Sequence, residues 1–314
     1  MSKPSHQWDV ANAQHMPIQH DDGIIDAPTV LSPFEAERFV EGLTKFSLEE
    51  VGSSKWFEQH VRIEKLNLQG HQNAMTNSDE YVLEAILTFD KLPVLIHDLL
   101  IIEAWKENVY PLLIDQVAGK NNMRIYFILY HEATLTNFLE VLLYHKHVCE
   151  CGGELLLELV DYTARKIMRL NGGYNFRDIE PISDRVSRNG GSIKDVADEL
   201  EARTPKQELT KYITEIEFRI CISSVAMARF LCEHCEVLPL NVISRITDTH
   251  DMLMCFIPLI ENPPWTRRRQ NGSWEKLVDS KWLTIPPIDL LKITKLEGQP
   301  WLALYNLVAK KVYR

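Results

Sequence analysis

One short segment of the chain concentrates side chains that bind metals. Within the sequence HKHVCEC, four soft or borderline donors lie close together: His145, His147, Cys149 and Cys151. Zn²⁺ binds Cys and His, but zinc modules space their ligands by about two to four residues and close with a distant second pair. On a helix, residues two positions apart point to different sides. The segment therefore predicts a polar helix end before a Gly-Gly turn, with these four residues as weak candidates for a metal site.

Other arrangements that catalyse reactions are incomplete or missing. Cys232 and Cys235 form a CxxC pair at a predicted helix end, but without the βαβ pattern of a thioredoxin-like site. His131-Glu132 is not followed by the second His of a zincin helix, and no Gly-x-Gly-x-x-Gly, Walker or Gly-x-Ser-x-Gly motif occurs. Cys221 and Cys255 lie in apolar helical stretches and are predicted to be core residues. We therefore predict no catalytic residue, no cofactor and no enzymatic activity.

One basic and aromatic cluster lies near the end of the chain. It consists of Trp265, Arg267, Arg268, Arg269 and Trp274. Arg and Trp are over-represented among interface hot spots, so these residues are candidates for binding an acidic segment of a protein partner. The alternative, which the pattern favours, is that the Trp residues pack a loop between repeats onto the core while the Arg residues are solvated.

Composition excludes several classes of protein. The 314 residues carry a formal net charge of −10, which argues against a nucleic-acid binder. Six cysteines are too few for a disulfide-stapled secreted domain. No apolar run approaches the roughly 20 residues of a membrane-spanning helix, and the N-terminus resembles neither a signal nor a transit peptide. The chain is predicted to be cytoplasmic, with reduced thiols and no membrane or nucleic-acid partner.

Helical signals dominate after a polar N-terminal segment. Residues 1–31 lack periodicity and are predicted to be a disordered tail, and Ser32-Pro33-Phe34-Glu35 then begins a capped helix. The Gly- and Pro-punctuated segment at about 171–206 is predicted to be a flexible insertion in a helical domain that spans 32–314. We expect about ten to twelve helices and no sheet.

Weak internal repeats indicate how these helices are arranged. The Leu-rich segments that start at residues 92 and 133 lie 41 residues apart, which is within the armadillo and HEAT range of about 40–47. The fold class is therefore predicted to be all-α, an irregular armadillo/HEAT-like helical-repeat solenoid of about five to seven units, with a helical bundle as the alternative. Asn137 and Asn306 lie on the presumed inner helices and are candidates for a partner-binding groove, although they can equally solvate or cap helices.

Several stretches of the chain look familiar when they are taken together. They are 56–68 (WFEQHVRIEKLNL), 91–110 (KLPVLIHDLLIIEAWKENVY), 130–150 (YHEATLTNFLEVLLYHKHVCE), 157–166 (LELVDYTARK), 243–265 (ISRITDTHDMLMCFIPLIENPPW) and 295–307 (KLEGQPWLALYNL). Their order resembles the MYND-zinc-finger dynein axonemal assembly factors, the Blu family. The resemblance covers about residues 32–310.

The resemblance implies a role in the cytoplasm of ciliated cells. Members of the family are understood to act as adaptors or co-chaperones that help fold and assemble axonemal dynein heavy chains before their transport into cilia. The implied protein partners are dynein chains, the Hsp90-type chaperone system and other assembly factors, among them a leucine-rich-repeat protein. The resemblance also implies an armadillo-like helical array, in agreement with the repeat pattern.

The chain departs from the family at its C-terminal end. The family ends in a MYND finger, a Cys/His array that binds two zinc ions, whereas this chain stops within a helical pattern at 310–314. We expect a truncated form or an isoform, with zinc belonging only to the missing finger. Binding of the leucine-rich-repeat partner is also expected to belong to the finger and is not assigned to residues of this chain.

The sequence thus predicts a non-catalytic protein-interaction module for cytoplasmic preassembly of axonemal dynein arms. A helical-repeat scaffold in another trafficking or cytoskeletal pathway fits the composition equally well. An α-helical metalloenzyme that uses the HKHVCEC donors is the remote alternative.

Overall fold

Helices make up most of the described chain. The computed structural model describes residues 30–76, 78–117, 123–172, 204–269 and 271–309. Its α-helices are α1 (Pro33–Glu41), α2 (Ser54–Thr76), α3 (Tyr81–Thr88), α4 (Leu92–Asn108), α5 (Tyr110–Val117), α6 (Met123–Leu143), α7 (Lys146–Gly152), α8 (Leu156–Asn171), α9 (Pro205–Glu233), α10 (Leu240–Ser244), α11 (Met252–Glu261) and α12 (Lys295–Ala309). The strands are β1 (Thr266–Arg268), β2 (Trp274–Val278) and β3 (Lys281–Ile285). A largely helical fold is therefore confirmed, with a small sheet added.

The first helix begins where the sequence predicts it. Ser32 is the N-cap of α1, and Pro33 occupies the first turn. The backbone N–H of Ser32 donates to the Glu35 carboxylate over 3.1 Å, and the N–H of Glu35 donates to Ser32 Oγ over 3.4 Å. This capping box satisfies N–H groups that have no partner within the helix, which explains the sharp start.

The predicted tail and the predicted insertion lie mostly outside the described residues. Residues 1–29 of the tail and residues 173–203 of the insertion are not described. Leu31, the last residue assigned to the tail, is buried, and its N–H donates to Gln69 Oε1 on α2 over 2.9 Å. Leu31 is therefore part of the folded core, although the predicted tail includes it.

Helix α6 is the centre of the helical part. It packs against α2, α4 and α9, and α9 packs in turn against α8 and α12. Leu135, Phe138, Leu139 and Leu142 of α6 are all buried. A helix with apolar residues on most of its sides is typical of a position inside the fold, which is why α6 has neighbours in several directions.

Paired charges connect four of the helices inside the core. Lys106 on α4 contacts Glu132 on α6 and Glu217 on α9. Lys166 on α8 bonds Glu132 over 2.7 Å, and Glu103 of α4 over 3.0 Å. Burial by itself raises the pKa of the Glu132 carboxyl, but the two lysines outweigh it and hold that pKa below its usual value. Because each buried charge has partners of opposite sign, the cluster fixes how the four helices pack.

The prediction that the chain has no sheet is wrong for residues 262–285. The described chain contains a three-stranded antiparallel sheet with the order β1-β2-β3. Asp279 and Ser280 connect β2 to β3 with φ values of 47° and 62°, the left-handed conformation of a tight two-residue hairpin turn. Gly272 precedes β2 with φ 84°. The sequence signal for this sheet is Asn271-Gly272, since Asn-Gly between β-prone runs indicates a hairpin.

Trp282 anchors the sheet to the helices. It is 2% exposed and stacks parallel to Phe218 of α9. Arg267 lies on β1 of the same sheet, and its guanidinium is 3.9 Å from the centre of the Trp282 ring. A large buried aromatic with a cation over its ring contributes both apolar burial and a cation–π interaction. The sheet is therefore fixed against α9 and forms a wall beside it.

Candidate functional site

A cleft lies between the sheet and the helices. Its volume is about 580 Å³, and its floor is formed by α2, α6 and α9. The β2–β3 turn and the beginning of α12 form the opposite wall. A cleft of this size and mixed polarity falls within the range that accommodates ligands in proteins. It is the feature of the described residues that can best hold a part of another molecule.

The wall on the sheet side is braced by an ion pair. Lys276 of β2 is 3% exposed, and its ammonium bonds Glu297 of α12 over 2.9 Å and the carbonyl of Lys292 over 2.8 Å. Glu297 also accepts from the N–H of Thr294, which lines the cleft, over 2.8 Å. The brace ties the sheet to the start of α12, so the two parts of this wall are held together.

Two side-chain amides lie next to each other on the floor. Asn137 on α6 donates to Asn67 Oδ1 on α2 over 3.2 Å, and both residues line the cleft. The Asn137 side chain also hydrogen-bonds His71 of α2. Each amide carries one carbonyl acceptor and two N–H donors, so these bonds use only part of their capacity. The Asn67 NH₂ group donates to no described residue. The pair can therefore accept and donate further hydrogen bonds on the cleft side.

Glu64 brings a negative charge to the same floor. It is half-buried on α2 and forms no ion pair or hydrogen bond within the part of the chain that the structure describes. Burial raises the pKa of its carboxyl, while nearby His131 acts in the opposite direction. Such a carboxylate is less well solvated than one at the surface and gains more from a cation placed beside it.

A pair of buried histidines lies behind the floor. His60 Nδ1 and His131 Nδ1 are 2.8 Å apart, so one ring donates and the other accepts. Trp56 stacks on His60 with an angle of 4° between the rings. Burial, together with His131, lowers the pKa of His60 to about 3, so the His60 ring stays neutral at ordinary pH. His131 Nε2 lies 3.8 Å from Asp98 Oδ2 on α4, which is beyond hydrogen-bond distance.

A second acidic side chain lies beyond the amide pair. Glu140 follows Asn137 by three residues on α6, and Ser223 of α9, which lines the cleft, hydrogen-bonds its carboxyl. Burial raises the pKa of Glu140 to about 7, although Ser223 and Arg229 favour the charged form. Glu140 therefore titrates close to neutral pH, unlike an ordinary glutamate.

The predicted Trp–Arg cluster lies in and beside the sheet, and two of its five residues are buried. Trp265 and Arg267 are buried, at 1% and 5% exposure. Arg267 Nε bonds the Glu275 carboxylate over 2.8 Å, and Arg269 Nε bonds the same oxygen over 2.8 Å. Packing of Trp265 agrees with the favoured interpretation, but the expectation of solvated arginines is wrong for Arg267. The physical reason is that Glu275 on β2 supplies the opposite charge at the neighbouring position of the sheet.

The other candidates of this group divide between the surface and the core. Arg268 is exposed, with its guanidinium 5.8 Å from the half-buried ring of Trp274. Asn306 is 6% exposed on α12, so it does not line a surface as it stands. Asn137 alone among the predicted partner-binding residues lines the cleft.

The structure does not bring the four weak metal candidates together. Cys149 is buried, and burial raises the pKa of its thiol to about 12. His145 pairs over 2.7 Å with Glu80, the residue that precedes α3. Only His147 Nε2 and Cys151 Sγ, one helical turn apart on the surface, approach each other, at 3.9 Å. Among the described residues, no group of three or more His, Cys, Asp or Glu side chains has a geometry that can hold a metal ion.

The remaining cysteines mostly lie in the core. Cys221, Cys232 and Cys235 are buried free thiols, and Cys255 is half-buried. Burial raises the pKa of the Cys221 thiol to about 12. A core position is thus confirmed for Cys221, and the CxxC pair has the environment of inert packed thiols.

Fold and cleft together define the class: a predominantly helical protein in which a small antiparallel sheet closes one side of a polar cleft. The chain is similar to a Drosophila melanogaster protein named Zinc finger MYND domain-containing protein 10 homolog, with 32% identity over 281 residues. The aligned region covers 88% of this chain and 58% of that relative. The chain thus spans somewhat more than half the length of the curated relative it matches, and the similarity supports a relationship to the MYND-protein family.

Other comparisons add no relative. No family model matches the chain, and no solved structure matches it significantly. In the described ranges, none of the helices has the length and apolar character needed to span a membrane.

Proposed function

We propose that this chain is a non-catalytic protein-interaction module of an adaptor for cytoplasmic preassembly of axonemal dynein arms. The observation that carries the proposal is the cleft, which has hydrogen-bonding amides on its floor and a braced wall opposite. Its size suits a short segment of a protein partner, and the similarity to a MYND-domain protein supports an adaptor. No cofactor is part of this proposal.

The resemblance of the sequence to the MYND-zinc-finger dynein assembly factors supports the assignment to the dynein pathway. The proposed partners are dynein chains, the Hsp90-type chaperone system and other assembly factors, and the proposed location is the cytoplasm of ciliated cells. Binding of the leucine-rich-repeat factor is proposed to belong to a MYND finger and is not assigned to residues 1–314. For this segment the mechanism is binding alone: a few buried anchors provide the affinity, and the remaining contacts exclude water.

The helical part is further proposed to be an irregular armadillo/HEAT-like solenoid. The 41-residue spacing of the Leu-rich segments and the layered packing of α2, α6 and α9 support this arrangement. In a solenoid each repeat contacts mainly its neighbours, so stability is a sum of repeat and interface terms. Removal of α1 together with α3 should then lower the midpoint of urea unfolding but leave a cooperative transition for the remainder. Complete loss of the transition would favour a single bundle.

An affinity pull-down from ciliated-cell extract tests the proposed function. The tagged chain is compared with Asn137→Arg, which fills the cleft, and with Glu158→Arg, which changes an exposed position on α8. We expect the unmodified chain and Glu158→Arg to retain dynein heavy chains and Hsp90-type chaperone, and Asn137→Arg to lose them. Circular dichroism of each variant checks that it is folded.

A longer protein that includes the finger provides the positive control. If that protein captures these partners and the present chain captures none, binding belongs to the C-terminal part and the proposal for this segment is wrong. Recovery of trafficking or cytoskeletal proteins alone would favour a scaffold of another pathway.

A further inference from the structure

Glu64 differs from the buried glutamates of the described chain. Glu103, Glu132, Glu217 and Glu275 each contact at least one Lys or Arg. Glu64 has no cation within ion-pair distance among the described residues, although it is half-buried in the cleft floor. A partly desolvated carboxylate without a counter-charge is costly to keep, and a ligand that carries a cation can offset that cost.

The basic side chains of the cleft do not meet this need. Arg219 on α9 and Lys295 on α12 line the cleft, but both are exposed to solvent. Water and salt screen exposed charges strongly, whereas a half-buried charge is screened less. Glu64 is therefore the charge that a ligand seated on the floor would experience most strongly.

The amide pair determines what kind of molecule carries that cation. Asn67 and Asn137 lie on adjacent helices, and Asn67 is 7% exposed, with an NH₂ group that donates to no described residue. A side-chain amide presents an acceptor and a donor side by side, which matches the N–H and C=O groups of a peptide main chain. Asn67 and Glu64 are three residues apart on α2, and residues at this spacing share one helix face. A main chain at the amides can therefore direct a side chain to Glu64.

From these contacts we infer that the cleft binds an extended segment of another polypeptide, with its main chain on the Asn67–Asn137 pair and a Lys or Arg side chain on Glu64. The inference rests on the proposed function, since it names the chemistry of the partner that the same cleft receives. Apolar side chains of the cleft, such as Leu277 and Leu296, flank the site and can cover the methylene groups of that basic side chain.

Nonapeptide libraries provide the probe. Three acetylated and amidated libraries carry Lys, norleucine or Glu at the central position and random residues elsewhere, and binding to the full chain is measured by fluorescence anisotropy. We expect the Lys library to bind about tenfold more tightly than the norleucine library, which corresponds to one additional partly buried ion pair. The Glu library should bind most weakly.

Matched variants assign the preference to its residues. Glu64→Gln should abolish the preference for Lys over norleucine, whereas Glu58→Gln, at an exposed position of the same helix, should leave it unchanged. Asn137→Leu should weaken binding of all three libraries, because it removes main-chain hydrogen bonds and not the charge. Thermal unfolding of each variant establishes that it is folded.

Several outcomes would overturn the inference. These are equal binding of the Lys and norleucine libraries, a Lys preference that survives Glu64→Gln, or no binding to the folded chain. Self-association that Glu64→Gln abolishes would assign the cleft to a second copy instead. The pull-down measures capture of dynein chains and chaperone, whereas the libraries measure the preference for Lys. If the pull-down captures none of these partners but the Glu64-dependent preference is observed, the proposed pathway is wrong and the inferred chemistry of the cleft is supported.

Discussion

Replacement of Glu140 by Gln should stabilise the protein at alkaline pH far more than at acidic pH. Glu140 lies on α6, and Ser223 on α9 donates to its carboxyl. Glutamine has nearly the same shape, and its side-chain oxygen can still accept from Ser223. The variant therefore removes the ionisable group and leaves packing and this hydrogen bond largely intact.

The magnitude follows from the pKa of Glu140. Burial raises it from 4.5 to about 7, so the folded chain binds the proton more tightly than the unfolded chain does. Below pH 4.5 both states are protonated and there is no penalty, and as the pH rises to 7 the unfolded state loses the proton first. Linkage then predicts that Glu140 costs about 1 kcal/mol of folding stability at pH 5 and about 3 kcal/mol at pH 8. Glu140→Gln should recover about 2 kcal/mol more at pH 8 than at pH 5.

Urea unfolding at both pH values measures this difference. The unmodified chain, Glu140→Gln and Glu158→Gln are compared, since Glu158 is exposed on α8. His60, whose pKa is lowered to about 3, binds a proton in the unfolded state between about pH 3 and 6.5 and reduces stability as the pH falls in that range. This contribution is common to all three proteins and cancels in the comparison. An equal change in unfolding free energy at pH 5 and pH 8 would refute the assignment of a raised pKa to Glu140.

Three further pairs of substitutions probe the fold. Lys106→Met should lower the free energy of unfolding by about 3–5 kcal/mol, because it leaves buried carboxylates with fewer partners. Lys146→Met, at a solvent-exposed ion pair, should lower it by less than about 1 kcal/mol. Similar losses for the two variants in urea titrations would contradict this account. Trp282→Ala should cost about 3–5 kcal/mol by calorimetry, and Trp301→Ala much less, because Trp301 is 51% exposed. Asp251 has φ 43° and caps α11 through its carboxylate. Asp251→Ala should therefore lower the free energy of unfolding by about 1–2 kcal/mol, and Asp251→Gly should lower it by less. An Ala variant more stable than the Gly variant would be inconsistent with the left-handed backbone.

Local signals explain why the helical part could be predicted. The Ser32 capping box and the Pro in the first turn of α1 act through residues within one helical turn, so the sequence contains the whole interaction. The same holds for Thr204 and Gln207 at the start of α9, where the capping box begins the helix at Pro205, just before the predicted end of the insertion at about 206. Helix starts that depend on neighbours in sequence are visible without a structure.

The sheet was missed because the sequence holds only one strong signal for it, the Asn-Gly pair at 271–272, in a chain dominated by helical patterns. Asn271-Gly272 lies between two β-prone runs, and the second turn uses Asp279 and Ser280 in place of Gly. Without that sheet the cleft has no second wall. Of the predicted partner-binding residues, Asn137 lines the cleft, and nothing in its local sequence distinguishes it from an ordinary helix-surface amide.

By itself, the sequence determined the helical class, the start of the first helix and the resemblance to MYND-domain proteins, because these depend on local patterns and on the order of motifs. Only the tertiary structure decided which charges are paired and which are not. Arg267 looks like a solvated cation in a run of three arginines, but Glu275 and Trp282 enclose it. Glu64 looks like an ordinary surface glutamate, yet it is half-buried in the cleft floor and forms no ion pair within the described residues. The reason is physical: the energy of a charge depends on its desolvation and on its neighbours in space, and residues far apart in the sequence supply both.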